Sequence, residues 1–286
     1  IARFAAAQRA TLTELTLDID GGRAGHHVRP LATAGCYAPG GRFPLPSSVL
    51  MTAVTARVAG VPTVWVASPR PAPITCAAAL VAGADALLAV GGAQAIAAFA
   101  YGAGSVPRCD VIVGPGNRWV TAAKQLVAGR VAIDMLAGPS ELVVLADDTA
   151  DPAVIAADLL AQAEHDPDAL PVLVTPSRPL ADAVNAALAA QLATLPTAAT
   201  AGAAVANGFI VLTPDLAAAL AVCEELAPEH LEVQTADADA VAARLSRYGG
   251  LFVGGGSAEV LGDYGAGPNH VLPTGGTARF VGGLSV

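Results

Sequence analysis

Residues 141–176, ELVVLADDTADPAVIAADLLAQAEHDPDALPVLVTP, read as strand, helix and strand in turn. The runs ELVVLAD (141–147) and LPVLVTP (170–176) are short, apolar and Val-rich, the pattern of strands buried on both faces. ADPAVIAADLLAQAEH (150–165) between them has a helical pattern. The same alternation extends outward. VPTVWVAS (61–68), ALLAV (86–90), CDVIVG (109–114), GFIVLTP (208–214), LEVQT (231–235) and GGLFVGG (249–255) read as further strands. SSVLMTAVTARVAG (47–60), PITCAAALVAG (73–83) and DADAVAARLSRYG (237–249) read as helices. Strands separated by helices predict an α/β protein with parallel sheets and right-handed crossovers.

The 286 residues suffice for two domains and, at 54% hydrophobic, for large cores. A break falls near residue 140, where AGPSE leads into a strand. One α/β unit is expected over 36–140 and a second over 141–286, with residues 1–35 packing on either. Acidic residues outnumber basic ones, 24 to 15, for a formal charge of −9, which argues against a nucleic-acid partner. Lys124 is the sole lysine, and its rarity reads as codon usage. Cys36, Cys76, Cys109 and Cys223 lie far apart with no CxxC pair and read as reduced thiols. The longest soft stretch, Ala77 to Gly104, is broken by Asp85, Gln94 and several glycines, so no membrane span is expected. The opening IARFAAAQRA has no initiator Met or signal pattern and reads as the start of a fragment or processed form.

In open α/β sheets ligands sit outside the carboxyl ends of strands, which directs attention to the polar residues after them. In AQAEHDPD, Gln162 and His165 stand three apart on one helix face, a spacing that suits a metal clamp and equally a capping or surface role. LAPEHLEVQ sets Glu229 and His230 directly before a strand, an acid–base pair or a surface dipeptide. GDYGAGPNHVLPT offers Asp263, Asn269 and His270 in a glycine-rich loop, as ligands or as parts of an ordinary turn. His26 and His27 belong to no motif and read as surface residues. GCYAPGGRFPLPSS (35–48), VGGAQAIAAFAYG (90–102), VGPGNRWV (113–120) and DMLAGPSE (134–141) are sparsely charged loops that can admit a dinucleotide. The GxGxxG fingerprint is absent, since Trp119 stands where a third glycine would follow Gly114 and Gly116.

Taken together, GGAQAIAA, VGPGN, AIDM-AGPSE, AQAEH, PEHLE and GDYGAGPNHVLPT resemble the histidinol dehydrogenase family, in its order and approximate spacing, from about residue 30 to the end. The resemblance implies two incomplete Rossmann-like domains, each a three-layer α/β/α arrangement on a parallel sheet. It implies an NAD-dependent, zinc-containing homodimer that oxidises L-histidinol through the aldehyde to L-histidine, the last step of histidine biosynthesis. Composition does not distinguish a cytoplasm from an organelle stroma, and the location is read as cytoplasmic by default. By position, Gln162, His165 and Asp263 match zinc ligands. His230 matches the base that deprotonates the hydroxyl, and Glu229 the residue that activates water. Ser140 and His270 match substrate contacts, and Tyr37, Gln94 and Asn117 NAD contacts.

The family pattern extends beyond both ends of this sequence, and its C-terminal extension supplies a further zinc-binding histidine and a substrate-contacting glutamate to the partner subunit. Weakened zinc binding and impaired turnover are therefore expected of this chain alone. Two other readings are a related dehydrogenase acting on another polar alcohol, such as a sulfonated diol, and a non-catalytic remnant that binds ligand or partner.

Overall fold

The computed structural model describes residues 1–40, 43–263 and 265–286. Gly41, Arg42 and Tyr264, which fall within two of the loops singled out above, lie outside the described residues. The chain divides into two compact units. One comprises Ile1–Leu136, Gly265–Val271 and Leu284–Val286, the other Ala137–Tyr264 and Leu272–Gly283.

The first unit opens with α1 (Ala2–Ala10) and an antiparallel hairpin of β1 (Leu15–Ile19) and β2 (Gly22–His26). It continues through β3 (Thr33–Tyr37), α2 (Pro46–Ala59), β4 (Thr63–Ala67), α3 (Pro73–Val81), β5 (Ala86–Leu88), α4 (Gly92–Tyr101), β6 (Val111–Val113), α5 (Arg118–Val127) and β7 (Ala132–Ile133). The parallel sheet has the order β5-β4-β3-β6-β7. Alternate residues of each strand serve opposite faces. Ala34, Cys36, Val64 and Val66 pack under α2 and α3, and Tyr37, Ala67 and Ile112 pack under α4 and α5 with Phe99.

The second unit repeats the plan. It runs through β8 (Glu141–Ala146), α6 (Pro152–Ala163), β9 (Leu170–Thr175), α7 (Arg178–Leu192), α8 (Ala198–Val205), β10 (Phe209–Leu212), α9 (Leu216–Leu226), β11 (His230–Gln234), α10 (Ala238–Ala242) and β12 (Gly250–Val253). Its parallel sheet has the order β10-β9-β8-β11-β12. Val143, Leu145, Leu231 and Val233 pack on α9 and α10, while Leu142, Val144 and Leu173 pack on α6 and α7. Both units are thus three-layer α/β/α sandwiches in which strand order reverses beside the first strand, between β3 and β6 and between β8 and β11.

The hairpin is antiparallel and lies outside both parallel sheets. Three local expectations change. Part of the segment read as a loop over 35–48 belongs to β3. The run 208–214 forms β10, which is largely exposed because it is an edge strand paired only with β9. The helix expected over 237–249 stops at Ala242; the Glu224 carboxylate of α9 accepts the Ser246 and Arg247 N–H groups, which removes them from any helical ladder.

Candidate active site

The polar residues of the second unit gather at the amino ends of its central strands, as read for Glu229 and His230 but against the general expectation of a ligand at the carboxyl ends. Glu141 opens β8, and Glu229 and His230 open β11, where His230 lies in register with Leu142 and Gly250. Helix α6 runs back along the sheet, so its carboxyl end delivers Gln162 and His165 to that same edge. The helix stops at Ala163, and His165 lies just beyond its end, its N–H donating to the Gln162 carbonyl at 3.2 Å.

Local backbone geometry holds the Glu229–His230 pair. Ala227 ends α9 in the left-handed conformation, φ 45°, and turns the chain into Pro228. Gly249 and Gly250 donate to the carbonyls of Pro228 and Glu229 at 2.9 and 2.7 Å. A Cβ at Gly249 would meet the Glu229 carbonyl at 2.6 Å.

Both side chains are buried, each 7% exposed as a residue. The Glu229 carboxylate accepts the Glu141 N–H at 3.0 Å and a hydrogen bond from the Ser140 side chain. Burial nevertheless pushes its carboxyl up to about 8. His230 Nδ1 lies 3.0 Å from the Glu141 carbonyl and 3.1 Å from Gln162 Oε1. A carbonyl only accepts, so Nδ1 carries a hydrogen, and the other ring nitrogen, Nε2, lies toward Glu259. Phe252 tilts against the imidazole at 6.0 Å between ring centroids. Glu141 in turn accepts the Gly275 N–H, which anchors the returning chain, and burial raises its carboxyl.

His165, Glu259 and Asp263 form a second cluster, with one donor atom from each lying within 4.8 Å of the others. Glu259 is 4% exposed, and its Oε1 lies 3.6 Å from His230 Nε2. Burial, then the neighbouring Asp263 carboxylate, push the Glu259 carboxyl up to about 7. Gln162 is fully buried, and its Nε2 has no hydrogen-bond partner among the described residues.

The reading of the sequence missed Glu259. Its signal was a carboxylate four residues before Asp263 in otherwise uncharged surroundings, a spacing that the short helical turn Glu259–Gly262 converts into proximity. Also missed was the polar face of β11. His230, Glu232 and Gln234 alternate toward α6, where Gln234 Nε2 donates to Glu232 at 3.0 Å and Asp158 at 3.2 Å. Burial, then the adjacent Asp158, raise Glu232 to about 9.

The remaining candidates belong to the first unit. The Tyr37 hydroxyl accepts the Gly92 N–H at 3.1 Å, at the start of α4. Gln94 is exposed in the first turn of that helix. Asn117 caps α5, accepting from Trp119 and Val120 at 3.1 and 3.2 Å. These three lie at or beyond the carboxyl ends of β3, β5 and β6, where the topology predicts a ligand. His270 is half-buried and is also assigned to the first unit. Next to it, Asn269 donates to the Met51 carbonyl at 2.9 Å and to Thr55 Oγ1 at 3.1 Å. No helix among the described residues is long and apolar enough to cross a membrane.

Fold and site together define an α/β protein with a buried carboxylate–imidazole pair beside a cluster of metal-donor side chains. In architecture it resembles a propionaldehyde dehydrogenase of Rhodopseudomonas palustris (TM-score 0.57, 13% identity, 95% of this chain and 74% of that one), a likeness of fold alone. The chain belongs to the histidinol dehydrogenase family, whose sequence model matches residues 1–286; the family is NAD-dependent. It is 56% identical to the histidinol dehydrogenase of Thermus thermophilus over 267 residues, covering 93% of this chain and 65% of that one. It is 54% identical to that of Geobacillus kaustophilus over 274 residues, covering 93% and 64%. The histidinol dehydrogenase structure from Elizabethkingia anophelis superposes with a TM-score of 0.94 at 35% identity, covering all of this chain and 67% of that one. The chain therefore spans just under two thirds of the length of these curated relatives.

Proposed function

We propose that this chain carries the catalytic core of a histidinol dehydrogenase, which oxidises L-histidinol through L-histidinal to L-histidine with two NAD. The observation that carries this reading is the orientation of His230: two oxygens hold its Nδ1 hydrogen, and its Nε2 lies 3.6 Å from Glu259 of the donor cluster. The family to which the chain belongs supplies the substrate.

His230 takes the hydroxyl proton as the alcohol carbon gives up hydride. Glu229, poised near 8 by burial, takes a proton from the water that adds to the aldehyde carbon. Ser140 orients Glu229 through its hydrogen bond and is the first substrate contact in this reading. His270 is the second substrate contact in this reading. The nicotinamide supplies the hydride acceptor for both steps when bound, with Tyr37, Gln94 and Asn117 as its contacts.

The donor chemistry suits zinc. His165, Asp263 and Glu259 offer nitrogen and carboxylate oxygen, and the orphaned amide nitrogen of Gln162 is consistent with its oxygen being committed to ligation and to His230. Zinc, when bound, supplies a template that retains substrate and aldehyde between the two oxidations. A homodimeric, cytoplasmic enzyme completes the reading.

The test is NADH formation from L-histidinol by the purified protein with zinc, with product analysis. NADH and histidine in a two-to-one ratio are expected. Turnover of another polar alcohol, with none of histidinol, overturns the substrate, and loss of neither step in His230→Asn overturns the mechanism.

A further inference from the structure

The sole lysine of the chain is buried. Lys124, in α5, pairs with Asp134, which follows β7, and the two side chains are 2% and 1% exposed. The other fourteen of the 15 Lys and Arg residues are arginines, so Lys124 departs from a strong compositional preference at a buried position, where a compact ammonium and a planar guanidinium are not interchangeable. The pair closes on the backbone of a single residue. Lys124 Nζ donates to the Gly114 carbonyl at 3.0 Å, and Asp134 Oδ2 accepts the Gly114 N–H at 2.6 Å. The other oxygen, Asp134 Oδ1, accepts the Met135 N–H at 2.7 Å.

Gly114 is the hinge between β6 and the turn into α5. Its φ is +112°, and a Cβ there would meet the Tyr37 carbonyl oxygen at 2.1 Å. Both of its polar groups are satisfied by the pair, and the chain continues through Pro115 and Gly116 to Asn117, the α5 cap. That turn lies beside the end of β3, at the point where strand order reverses.

We infer that Lys124 and Asp134 are positioning residues for the dinucleotide, holding the Gly114–Asn117 turn in the shape that receives it. The inference rests on the proposed function, since it takes NAD as the occupant of this end of the sheet. A buried ion pair is weak evidence for stability, because hydrophobic replacements often match it. Its value here is geometric: a charged partner on each polar group of one residue fixes that residue more tightly than neutral hydrogen bonds do.

The test uses Lys124→Met, Asp134→Asn and the double variant in the full-length protein. The double variant leaves no unpaired buried charge and retains an oxygen for the Gly114 N–H. NAD and histidinol affinities are measured separately by calorimetry, with thermal unfolding to establish the folded state. The expected result is NAD binding weakened at least about tenfold in the folded variants, as for loss of one charged hydrogen bond, with histidinol binding within about twofold of wild type. NAD affinity within about twofold of wild type in the folded double variant overturns the inference, and so does an equal loss for both ligands, which marks a general support of the fold. Wild-type protein without NAD affinity removes the functional reading and the inference with it; wild-type affinity that the variants keep removes the inference alone.

Discussion

Gln162 Oε1 lies 3.1 Å from His230 Nδ1, joining the last turn of α6 to the first residue of β11. The Glu141 carbonyl shares the same imidazole hydrogen at 3.0 Å. Removing the amide therefore leaves one acceptor, and the tautomer survives. Gln162→Ala is expected to lower turnover by about tenfold and zinc affinity by up to about a hundredfold, the range for groups that ligate or orient a metal site. Chelator competition on the purified protein separates the two effects. Zinc affinity equal to wild type would remove Gln162 from the donor set.

Glu229 carries a pH prediction of definite sign. Burial raises its carboxyl from 4.5 to about 8. Water activation needs the carboxylate, so oxidation of supplied aldehyde rises with pH and levels off above about 8. Stability runs the other way. The folded state holds this proton more tightly than the unfolded chain, so the contribution is complete below 4.5 and is lost as pH climbs through about 8. Glu229→Gln cannot ionise, and it should flatten the stability profile while slowing aldehyde oxidation by about a hundredfold or more. Urea unfolding across this pH range decides the matter; a variant profile parallel to wild type would sink the assignment.

The Asp263 carboxylate disfavours the ionised form of Glu259, and a cation between them would relieve that repulsion. Glu259→Gln is therefore expected to leave metal-free protein as stable as wild type, or more so, and to cost about tenfold to a hundredfold in zinc affinity. Thermal unfolding with and without zinc checks both halves. A variant that loses stability without metal yet keeps its zinc affinity would show Glu259 to be a packing residue.

Much of this architecture was legible because parallel strands buried on both faces leave continuous apolar runs, as in 141–147 and 170–176, each separated by a helix. The motif residues Gln162, His165, Glu229 and His230 could be picked out singly, but their meeting depends on helix α6 running back to the amino edge of the sheet, a tertiary fact that the carboxyl-end rule misdirected. Glu259 was hidden for a related reason: a lone carboxylate in SAEVLGD has no local pattern, and only the turn that brings it to Asp263 and His165 gives it a role. The edge strand β10 kept its apolar sequence while exposed, so hydrophobicity alone overstated its burial.

The cysteines provide a probe of the folded state. Cys36, Cys109 and Cys223 are buried, and burial pushes each thiol up to about 12, whereas Cys76 is exposed on α3. Native protein at neutral pH should release one equivalent of thionitrobenzoate promptly, from Cys76, with the others reacting only on denaturation. Prompt reaction of any thiol in the Cys76→Ser variant would contradict the packing around β3 or α9.

Two glycines with positive φ separate conformational strain from steric conflict. Gly21, φ +84°, turns the β1–β2 hairpin with nothing within 4 Å of the place a methyl group would take, so Gly21→Ala meets only the left-handed penalty, about 1–2 kcal/mol. Gly114 has φ +112° and backbone 2.1 Å from the corresponding place. Relief there requires β6 to part from the Tyr37 carbonyl, which also disturbs the turn toward Asn117. Gly114→Ala should cost at least about 3 kcal/mol and lose NAD affinity, while Gly21→Ala keeps it. Chemical denaturation of both variants alongside NAD titration tests the contrast. Equal destabilisation by the two substitutions would mean that φ alone sets the cost and that the approach of Tyr37 to Gly114 contributes nothing.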